Sequence, residues 1–347
     1  MTPEEFKAQV LQLFFQDIHK LEQNNYSPER FSYDGVDRSA LFDVTKHAAY
    51  LDWFIQQYRN VFDGCVRLAD QESRNLYVDV LRYKLVGHLH KRINTPVAAM
   101  GEETARLLEA FPGTESSIET SGMFGKLRHY DGYWKDVHYT VDTLKNALTS
   151  TLVYRQYYFE RNGVSIQPEA GDFLIEGGAC TGDTAAVFSR SVGPGGRVYA
   201  FDPVQDHIDV CRANFSRPGY ENVDILPYGL GDRTIECAPI RLDTYSPGFR
   251  SAAHAVPLAK IDDFVANGRI ERIDFIKLDI EGSEMAALRG AEQSIRRFRP
   301  KLAISVYHNP NDYFEIAQYI DSLGLGYKLY LDHYTIWDEE TVLYARA

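Results

Sequence analysis

The sequence predicts an α/β fold, with a mostly parallel sheet of seven strands, an antiparallel terminal strand and a mainly helical domain in front. From residue 171 onward, short apolar runs alternate with helical stretches, which is typical of a parallel sheet covered by helices on both faces. The last two apolar runs follow one another with no helix between them. Parallel neighbours need a long crossover connection, so we expect these two strands to pair antiparallel.

Each predicted strand is a short run of apolar, β-branched or aromatic residues. The seven runs are FLIE (173–176), RVYAF (197–201), NVDILPYG (222–229), IDFIKLD (273–279), KLAISVY (301–307), YKLYLDHY (327–334) and TVLYA (341–345). Helices are predicted to begin near residues 182, 205, 283 and 312, each after a strand of the alternating pattern.

The N-terminal third has helical periodicity and clear helix boundaries. Thr2 and Glu5 have the spacing of a capping box, and Asp70 is a good cap for a helix that stops at Gly87. The stretch 40–62 also has helical spacing of its apolar residues. These helices are expected to shape a substrate pocket or an oligomer interface.

We divide the chain into a helical accessory domain (1–120), a connector (121–165) and a cofactor-binding α/β domain (166–347). In the connector, the Asp131-Gly132 pair predicts the turn of a hairpin. The aromatic stretch TLVYRQYYFERNG (151–163) either folds over the cofactor site or packs as a seam between domains.

Composition excludes several classes of protein. The chain has 347 residues and a formal net charge of −12, which argues against binding of nucleic acid or of anionic membrane surfaces. No basic leader or long apolar stretch is visible, so we expect a cytoplasmic protein without a membrane span. The four cysteines are far apart, which disfavours zinc sites and disulfides. The expected partners are a hydroxylated small molecule and, through the N-terminal helices, a second copy of the chain.

The glycine-rich run IEGGACTGDT (175–184) lies between the first strand and the next helix. Ligands of open α/β sheets bind where strands end and helices begin, so Gly178 and Gly182 are predicted to clear space for a ligand. Ala179 occupies the place where a dinucleotide loop has its middle glycine. The spacing E-x-G-x-x-x-G is instead typical of sites for S-adenosylmethionine.

The second strand ends at Asp202-Pro203, about twenty residues further on, where a carboxylate is expected to accept hydrogen bonds from the two ribose hydroxyls. Glu176 is predicted to help hold the methionine end of the cofactor. The full set that we assign to cofactor binding is Glu176, Gly178, Ala179, Cys180, Gly182, Asp183, Thr184, Asp202, Pro203, Asp279 and Gln156.

The stretch IDFIKLDIEGSEMAALRGA (273–291) resembles the signature of FkbM-type methyltransferases. IEGGACTG and AFDP are similar to the first two cofactor motifs of that family, and RRFRPKLAISVYHNPND and ETVLYARA are similar to its last strands. The resemblance covers about residues 150 to 347. It implies a Rossmann-like class I methyltransferase fold and methyl transfer from S-adenosylmethionine, usually to a hydroxyl oxygen of a sugar or secondary metabolite. The chain departs from the family in Cys180, where members often have asparagine, and in Asp202, where many have glutamate.

Candidate catalytic residues follow the fourth and fifth strands. His308 is the predicted general base, because an ordinary histidine titrates near neutral pH. Asp279 and Glu281 are predicted to orient that histidine, to bind the acceptor or to hold a divalent metal such as Mg²⁺ through oxygen ligands. Structural roles stay open for two of them, since Glu281 could cap a helix beginning at Gly282 and His308 could order the turn at 309–310.

Three alternatives to O-methylation remain open. The same fold could methylate a nitrogen or another acceptor, because a fold does not fix its substrate. The chain could be a nucleoside-binding module without catalysis. A dehydrogenase is disfavoured by Ala179 and by the terminal strand pair.

Overall fold

The computed structural model describes residues 1–20, 44–120, 127–240 and 254–347. These residues divide into two compact units. The first unit comprises Met1–Ala99 and Val306–Leu343, and the second comprises Met100–Ser305 and Tyr344–Ala347. The N-terminal helices are thus grouped with residues near the C-terminus, which the sequence analysis did not anticipate. The domain boundaries drawn at residues 120 and 165 remain predictions.

The helices in the described residues include those predicted to begin near residues 182, 205, 283 and 312. They are α1 (Pro3–Asp17), α2 (Val44–Arg67), α3 (Gln71–Val86), a 3-10 turn (Pro96–Ala99), α4 (Gly101–Ala110), α5 (Lys145–Leu152), α6 (Asp183–Val192), α7 (Gln205–Phe215), α8 (Ile261–Ala266), α9 (Glu284–Gly290), α10 (Glu292–Phe298) and α11 (Asp312–Ser322).

The strands in the described residues include all seven predicted ones. They are β1 (Thr114–Glu115), β2 (Arg128–Trp134), β3 (Val137–Thr143), β4 (Phe159–Arg161), β5 (Val164–Ile166), β6 (Phe173–Gly177), β7 (Arg197–Phe201), β8 (Val223–Leu226), β9 (Gly229–Leu230), β10 (Ile235–Ile240), β11 (His254–Ala259), β12 (Phe275–Leu278), β13 (Lys301–Ser305), β14 (Lys328–His333) and β15 (Thr341–Arg346).

The main sheet has seven strands in the order β14-β15-β13-β12-β6-β7-β8. β6 pairs in parallel with both β7 and β12, and β12 pairs in parallel with β13. The last two strands are neighbours joined by residues 334–340 alone, a connection too short for a parallel crossover. The predicted fold class is therefore confirmed, with a mostly parallel sheet and a terminal strand that turns back.

Within the first unit, the N-terminal helices pack on α11 through aromatic rings. Trp53 stacks on Phe314 with ring centroids 6.2 Å apart, and Tyr77 stacks on Tyr313 at 4.0 Å. Gly64 permits the close approach, since a Cβ there would lie 2.8 Å from the Cβ of Phe314. Buried aromatic area of this kind is a large stabilising contribution, which explains why these distant segments form one unit.

The predicted caps of the first unit are confirmed. The Thr2 side chain accepts a hydrogen bond from the Glu5 backbone, and the Glu5 carboxylate accepts one from the Thr2 backbone, which completes the capping box. Asp70 Oδ1 accepts from the Ser73 backbone nitrogen at 2.6 Å, and Gly87 ends α3 with a φ of 76°. No helix within the described ranges combines the length and the apolar character that a membrane crossing requires.

In the second unit, the predicted turn at Asp131-Gly132 is wrong, because both residues lie inside β2 and pair with β3. The hairpin turns instead at Lys135 and Asp136, which have φ values of 48° and 66°. Two residues with positive φ are what a tight two-residue hairpin turn requires. Gly132 has a packing role, since a Cβ there would lie 3.0 Å from the Ala110 carbonyl oxygen.

The hairpin is held against α6 by a buried apolar cluster. Its members come from α4, from β2 and β3, from α5 and from α6: Leu107, Phe111, Tyr130, Tyr139, Val141, Leu148, Leu152, Val153 and Val187. The C-terminal end of β3 is thereby placed beside the loop that precedes α6. A further small sheet, in the order β10-β11-β9, was not predicted from the sequence.

Candidate functional site

The glycine-rich loop turns away from the end of β6 at Gly178. Gly178 has a φ of +81°, and a Cβ at this position would lie 1.9 Å from the carbonyl oxygen of Asp279, so only glycine fits. The backbone nitrogens of Gly178 and Ala179 both donate to the carbonyl oxygen of Phe201, at 2.9 and 3.1 Å. The loop is therefore pinned between the ends of β7 and β12.

The loop runs into α6 through Gly182, which caps the helix with a φ of +81°. A Cβ on Gly182 would lie 2.8 Å from Phe215, so this glycine permits close packing on α7. The helix begins at Asp183, as predicted, and Asp183 and Thr184 are both buried. Thr181 donates to Asp183 Oδ1 at 2.8 Å and shares a 2.7 Å hydrogen bond with Thr143 of the hairpin. The hairpin thus stabilises the loop through this hydrogen bond.

Cys180 occupies the middle of the loop with a φ of 49°, in the left-handed region. Asparagine is several-fold enriched in this region among non-glycine residues, which explains physically why asparagine suits this place in the loop. The Cys180 backbone nitrogen donates to Asp202 Oδ2 at 3.0 Å, and the Cys211 thiol donates to the Cys180 carbonyl oxygen. Burial raises the pKa of the Cys180 thiol well above its usual value, so the thiol stays protonated.

Asp202 stands at the end of β7 and is almost completely buried. Its Oδ2 accepts from the Cys180 nitrogen, and its Oδ1 accepts from the Val204 nitrogen at 2.9 Å and contacts His207 Nδ1 at 2.9 Å. A carboxylate has roughly four acceptor positions, so these contacts fix its orientation and leave capacity for another donor. Pro203 follows directly and lies beside Gly229.

Glu176 is the most unusual residue of the site. It is fully buried on β6, and neither carboxylate oxygen has a hydrogen-bond partner within the described parts of the chain. Burial raises its pKa to about 8, with Lys277 opposing the shift and the carboxylates of Asp183 and Asp202 adding to it. An unpartnered buried carboxyl is costly, which points to a ligand that supplies a donor or a positive charge.

Lys277 lies opposite Glu176 on the neighbouring strand β12, and it is also buried. Its ammonium donates to the carbonyl oxygens of Gly177 and Gly178, at 3.0 and 2.9 Å. Lys277 therefore holds the backbone of the glycine loop at its first turn. Its Nζ also lies 5.1 Å from the centroid of the Tyr157 ring.

Asp279 follows β12 and is tied to the aromatic segment 151–163. The Tyr157 hydroxyl donates to Asp279 Oδ2 at 2.6 Å, and the Gln156 side-chain nitrogen donates to the Tyr157 hydroxyl at 3.1 Å. The aromatic segment thus contacts Asp279, and its folding over the cofactor site remains a prediction. Gln156 lies in this network, and its contact with a cofactor remains a prediction.

Glu281 lies in the short segment between β12 and α9. The alternative in which Glu281 caps a helix at Gly282 is wrong, because α9 begins at Glu284 and its cap position is Ser283. Glu284 is fully buried and accepts a hydrogen bond from the Ile280 nitrogen at 2.7 Å. A carboxylate oxygen of Glu284 lies within 4.8 Å of one of Asp279. Metal binding at Asp279 and Glu281 remains a prediction.

His308 belongs to the first unit, three residues beyond the end of β13, and is half-buried. Its assignment as the general base remains a prediction. The residues that were predicted to bind the cofactor all lie in the second unit.

Sequence analysis missed Lys277 and Tyr157. A lysine inside the otherwise apolar strand FIKL is a usable signal, because an isolated buried ammonium is costly. Tyr157 gave no such signal, since the chain has 23 tyrosines and most aromatic side chains fill cores.

The chain is similar to known methyltransferases. Residues 176–329 match the model of the methyltransferase FkbM domain. The hexuronic acid methyltransferase AglP of Haloferax volcanii is 27% identical over 135 residues, which cover 38% of this chain and 54% of that protein. The protein-L-isoaspartate O-methyltransferase of Aeropyrum pernix is 26% identical over 105 residues, which cover 30% of this chain and 39% of that protein. The matches thus span about half or less of each curated relative.

A solved structure shares the fold. The methyltransferase FkbM of Methylobacillus flagellatus superposes with a TM-score of 0.52 at 23% sequence identity, over 85% of this chain and 60% of that chain. At this identity the likeness concerns the fold alone. It supports the α/β fold class described above.

Proposed function

Because the chain carries an FkbM-type methyltransferase domain, we propose that it transfers a methyl group from S-adenosylmethionine to a hydroxyl oxygen of a small, sugar-containing molecule. The observation that carries the proposal is the buried carboxyl of Glu176, which has no hydrogen-bond partner among the described residues, beside a loop in which only glycine fits at position 178. The acceptor class is supported by one relative, whose name states that it acts on hexuronic acid.

The two carboxylates beside the loop, Glu176 and Asp202, are hydrogen-bond acceptors that suit a positively charged nucleoside. Glu176 would accept hydrogen bonds from the α-ammonium group of the methionine part, since both of its oxygens lack a partner among the described residues. Asp202, whose orientation is fixed by the Cys180 and Val204 nitrogens, would accept from the ribose. Gly178 keeps side-chain atoms out of the space between the ends of β6 and β12. When bound, S-adenosylmethionine supplies an activated methyl group on a sulfonium.

The protein has two tasks on the acceptor side. It must hold an acceptor hydroxyl in line for transfer, which can contribute roughly 7–11 kcal/mol, and it must take the hydroxyl proton, for which a general base contributes about 10²- to 10⁴-fold. We assign the binding of the acceptor to Asp279, beside the glycine loop, and the removal of the proton to His308. A divalent ion at Asp279 is a separate proposal, which would make turnover sensitive to chelators.

The test is transfer of tritium from methyl-labelled S-adenosylmethionine to a panel of probes: p-nitrophenyl β-D-glucuronide, p-nitrophenyl β-D-glucoside and glucosamine. Label on either glycoside that survives mild alkali indicates a hydroxyl ether and supports the proposal. Label on the glucuronide that alkali releases as methanol indicates a carboxyl ester, and label on the amino group of glucosamine indicates N-methylation. Either result would replace the hydroxyl assignment.

Two further experiments test the cofactor contact and distinguish an enzyme from a nucleoside-binding module without catalysis. Asp202→Ala should weaken binding of S-adenosylhomocysteine by at least about tenfold, because it removes acceptors for the ribose and for the Cys180 nitrogen. Asp224→Asn is the matched control. Asp224 on β8 forms a half-exposed ion pair with Arg197 on β7 and is not assigned to the cofactor. Cofactor binding without label transfer to any probe or to a cell extract of small molecules would favour a nucleoside-binding module.

A further inference from the structure

The Tyr157 hydroxyl lies at the centre of a chain of hydrogen bonds that ends on Asp279. It accepts from Gln156 Nε2 at 3.1 Å and donates to Asp279 Oδ2 at 2.6 Å. Gln156 and Tyr157 are both almost completely buried. A short bond to a carboxylate from a buried hydroxyl is a strong and directional contact.

The backbone at Tyr157 is strained. Its φ is 73°, in the left-handed region that bulky residues rarely adopt, and Arg155 two residues earlier has a φ of 53°. Neighbouring groups hold this shape, since the Tyr157 nitrogen donates to the Tyr344 hydroxyl at 3.0 Å and the Gln156 nitrogen donates to the Ser150 carbonyl oxygen at 3.1 Å. Strain that the surroundings maintain is a feature of functional sites.

The Tyr157 ring is fixed as well as its hydroxyl. Lys277 Nζ lies 5.1 Å from the ring centroid and donates to the Gly177 and Gly178 carbonyl oxygens. The ring also makes an edge contact with Phe188 of α6, at a centroid distance of 6.3 Å. Tyr157 therefore has one position relative to both the glycine loop and Asp279.

Asp279 needs such support because it lies just beyond the end of β12. Its backbone nitrogen donates to Gly177 at 3.2 Å, and its carbonyl oxygen faces Gly178. These contacts fix the backbone, and the Tyr157 hydroxyl contacts the carboxylate itself. We propose that Tyr157 is a positioning residue, whose hydroxyl sets the orientation of the Asp279 carboxylate toward the methyl acceptor; the inference rests on the function proposed above.

Tyr157→Phe removes only the hydroxyl and keeps the ring. Tyr158→Phe is the matched control, because its hydroxyl bonds Ser191 of α6 at 2.7 Å. With p-nitrophenyl β-D-glucuronide as the probe, Tyr157→Phe should lower kcat by about 10- to 100-fold, the range seen when the partner of a functional side chain is removed. The affinity for S-adenosylhomocysteine should stay within about threefold, and Tyr158→Phe should leave kcat within about twofold.

Two readouts separate positioning from general destabilisation. In the double variant Tyr157→Phe/Asp279→Asn, kcat should equal that of Asp279→Asn alone, because Tyr157 acts through Asp279. A crystal structure of Tyr157→Phe should show the Asp279 side chain in a new or divided conformation, whereas that of Tyr158→Phe should keep the original one.

An unchanged Asp279 conformation in Tyr157→Phe, or additive losses in the double variant, would overturn the inference. If the wild-type chain forms an alkali-stable product with neither glycoside of the panel, the hydroxyl acceptor of the proposed function is wrong. The crystal structures still decide the positioning role in that case, so the two failures are distinguishable.

Discussion

Glu176 and Lys277 lie directly opposite each other on the parallel strands β6 and β12, yet Lys277 donates to the carbonyl oxygens of Gly177 and Gly178. The Glu176 carboxylate oxygens have no hydrogen-bond partner within the described ranges of the chain. The lysine thus stabilises the loop, and we propose that the glutamate binds the cofactor.

Glu176→Gln should weaken the binding of S-adenosylhomocysteine by at least about tenfold, since a charge-assisted hydrogen bond is worth roughly 1.5–3 kcal/mol. In the wild type, a bound ammonium favours the charged carboxylate, so binding releases a proton from a group with a pKa of about 8. Affinity measured by calorimetry should therefore rise from pH 6 to pH 8 and then level off. The variant should lack this dependence; an equal affinity and an equal pH profile would show that Glu176 does not contact the ligand.

Glu176 should also make stability depend on pH. Its folded pKa of about 8 lies above its ordinary value of 4.5, so its stabilising contribution is complete below about pH 4.5 and is lost as the pH rises through 8. Urea titrations of the unliganded chain should give a free energy of unfolding that falls more steeply from pH 5.5 to pH 8.5 in the wild type than in Glu176→Gln. We expect a difference on the order of 1–4 kcal/mol, and parallel pH profiles would contradict the burial of this carboxyl.

Gly178→Ala tests the shape of the loop. The new Cβ would meet the Asp279 carbonyl oxygen at 1.9 Å, which forces the backbone to move. Gly171→Ala is the control, because Gly171 has a similar φ of +86° and open space around its Cβ position. In the control, the free energy of unfolding should fall by about 1–2 kcal/mol from left-handed strain alone. In Gly178→Ala it should fall further, and cofactor binding should be abolished. Equal losses for the two variants would mean that the contact with Asp279 is unimportant.

Cys180→Asn should be tolerated. Asparagine adopts the left-handed region more readily than cysteine, so we expect stability unchanged or raised by a few tenths of a kcal/mol, and cofactor affinity within about threefold. Cys180→Val should destabilise the chain by about 1–2 kcal/mol, because a β-branched residue is poorly accommodated at a φ of 49°. Thermal melts of the two variants check this ordering, and a more stable valine variant would contradict the loop geometry.

His308→Gln tests the predicted general base. Turnover should fall by about 10²- to 10⁴-fold, whereas the affinity for S-adenosylhomocysteine should not change, because His308 is not among the residues assigned to the cofactor. For His207→Gln we expect the opposite result. Because His207 contacts Asp202, this variant should lower cofactor affinity more than turnover. Wild-type turnover in His308→Gln would remove this residue from the mechanism.

Sequence reasoning succeeded where local chemistry decides the structure. The capping box at Thr2, the cap at Asp70 and the glycines at 178 and 182 each follow from backbone conformations that few residues satisfy. The seven strands followed from apolar runs, because buried parallel strands have near-continuous apolar sequence.

Features that depend on contacts between residues far apart in the sequence could not be predicted. The Asp131-Gly132 pair has the sequence of a turn, but Gly132 is needed for packing on Ala110, and the turn falls at Lys135-Asp136. The aromatic stacking of Tyr77 on Tyr313 joins segments more than 200 residues apart, which no local pattern indicates. The bond from Tyr157 to Asp279 has the same character, since only the folded chain brings these two side chains together.

The central claim is that the loop around Glu176 and Gly178 binds S-adenosylmethionine, and calorimetry of the wild-type chain tests it most directly. Titrations at pH 8 with S-adenosylmethionine, S-adenosylhomocysteine and NAD should give micromolar binding of the first two and none of the third. Tight binding of NAD without binding of the other two would contradict the account.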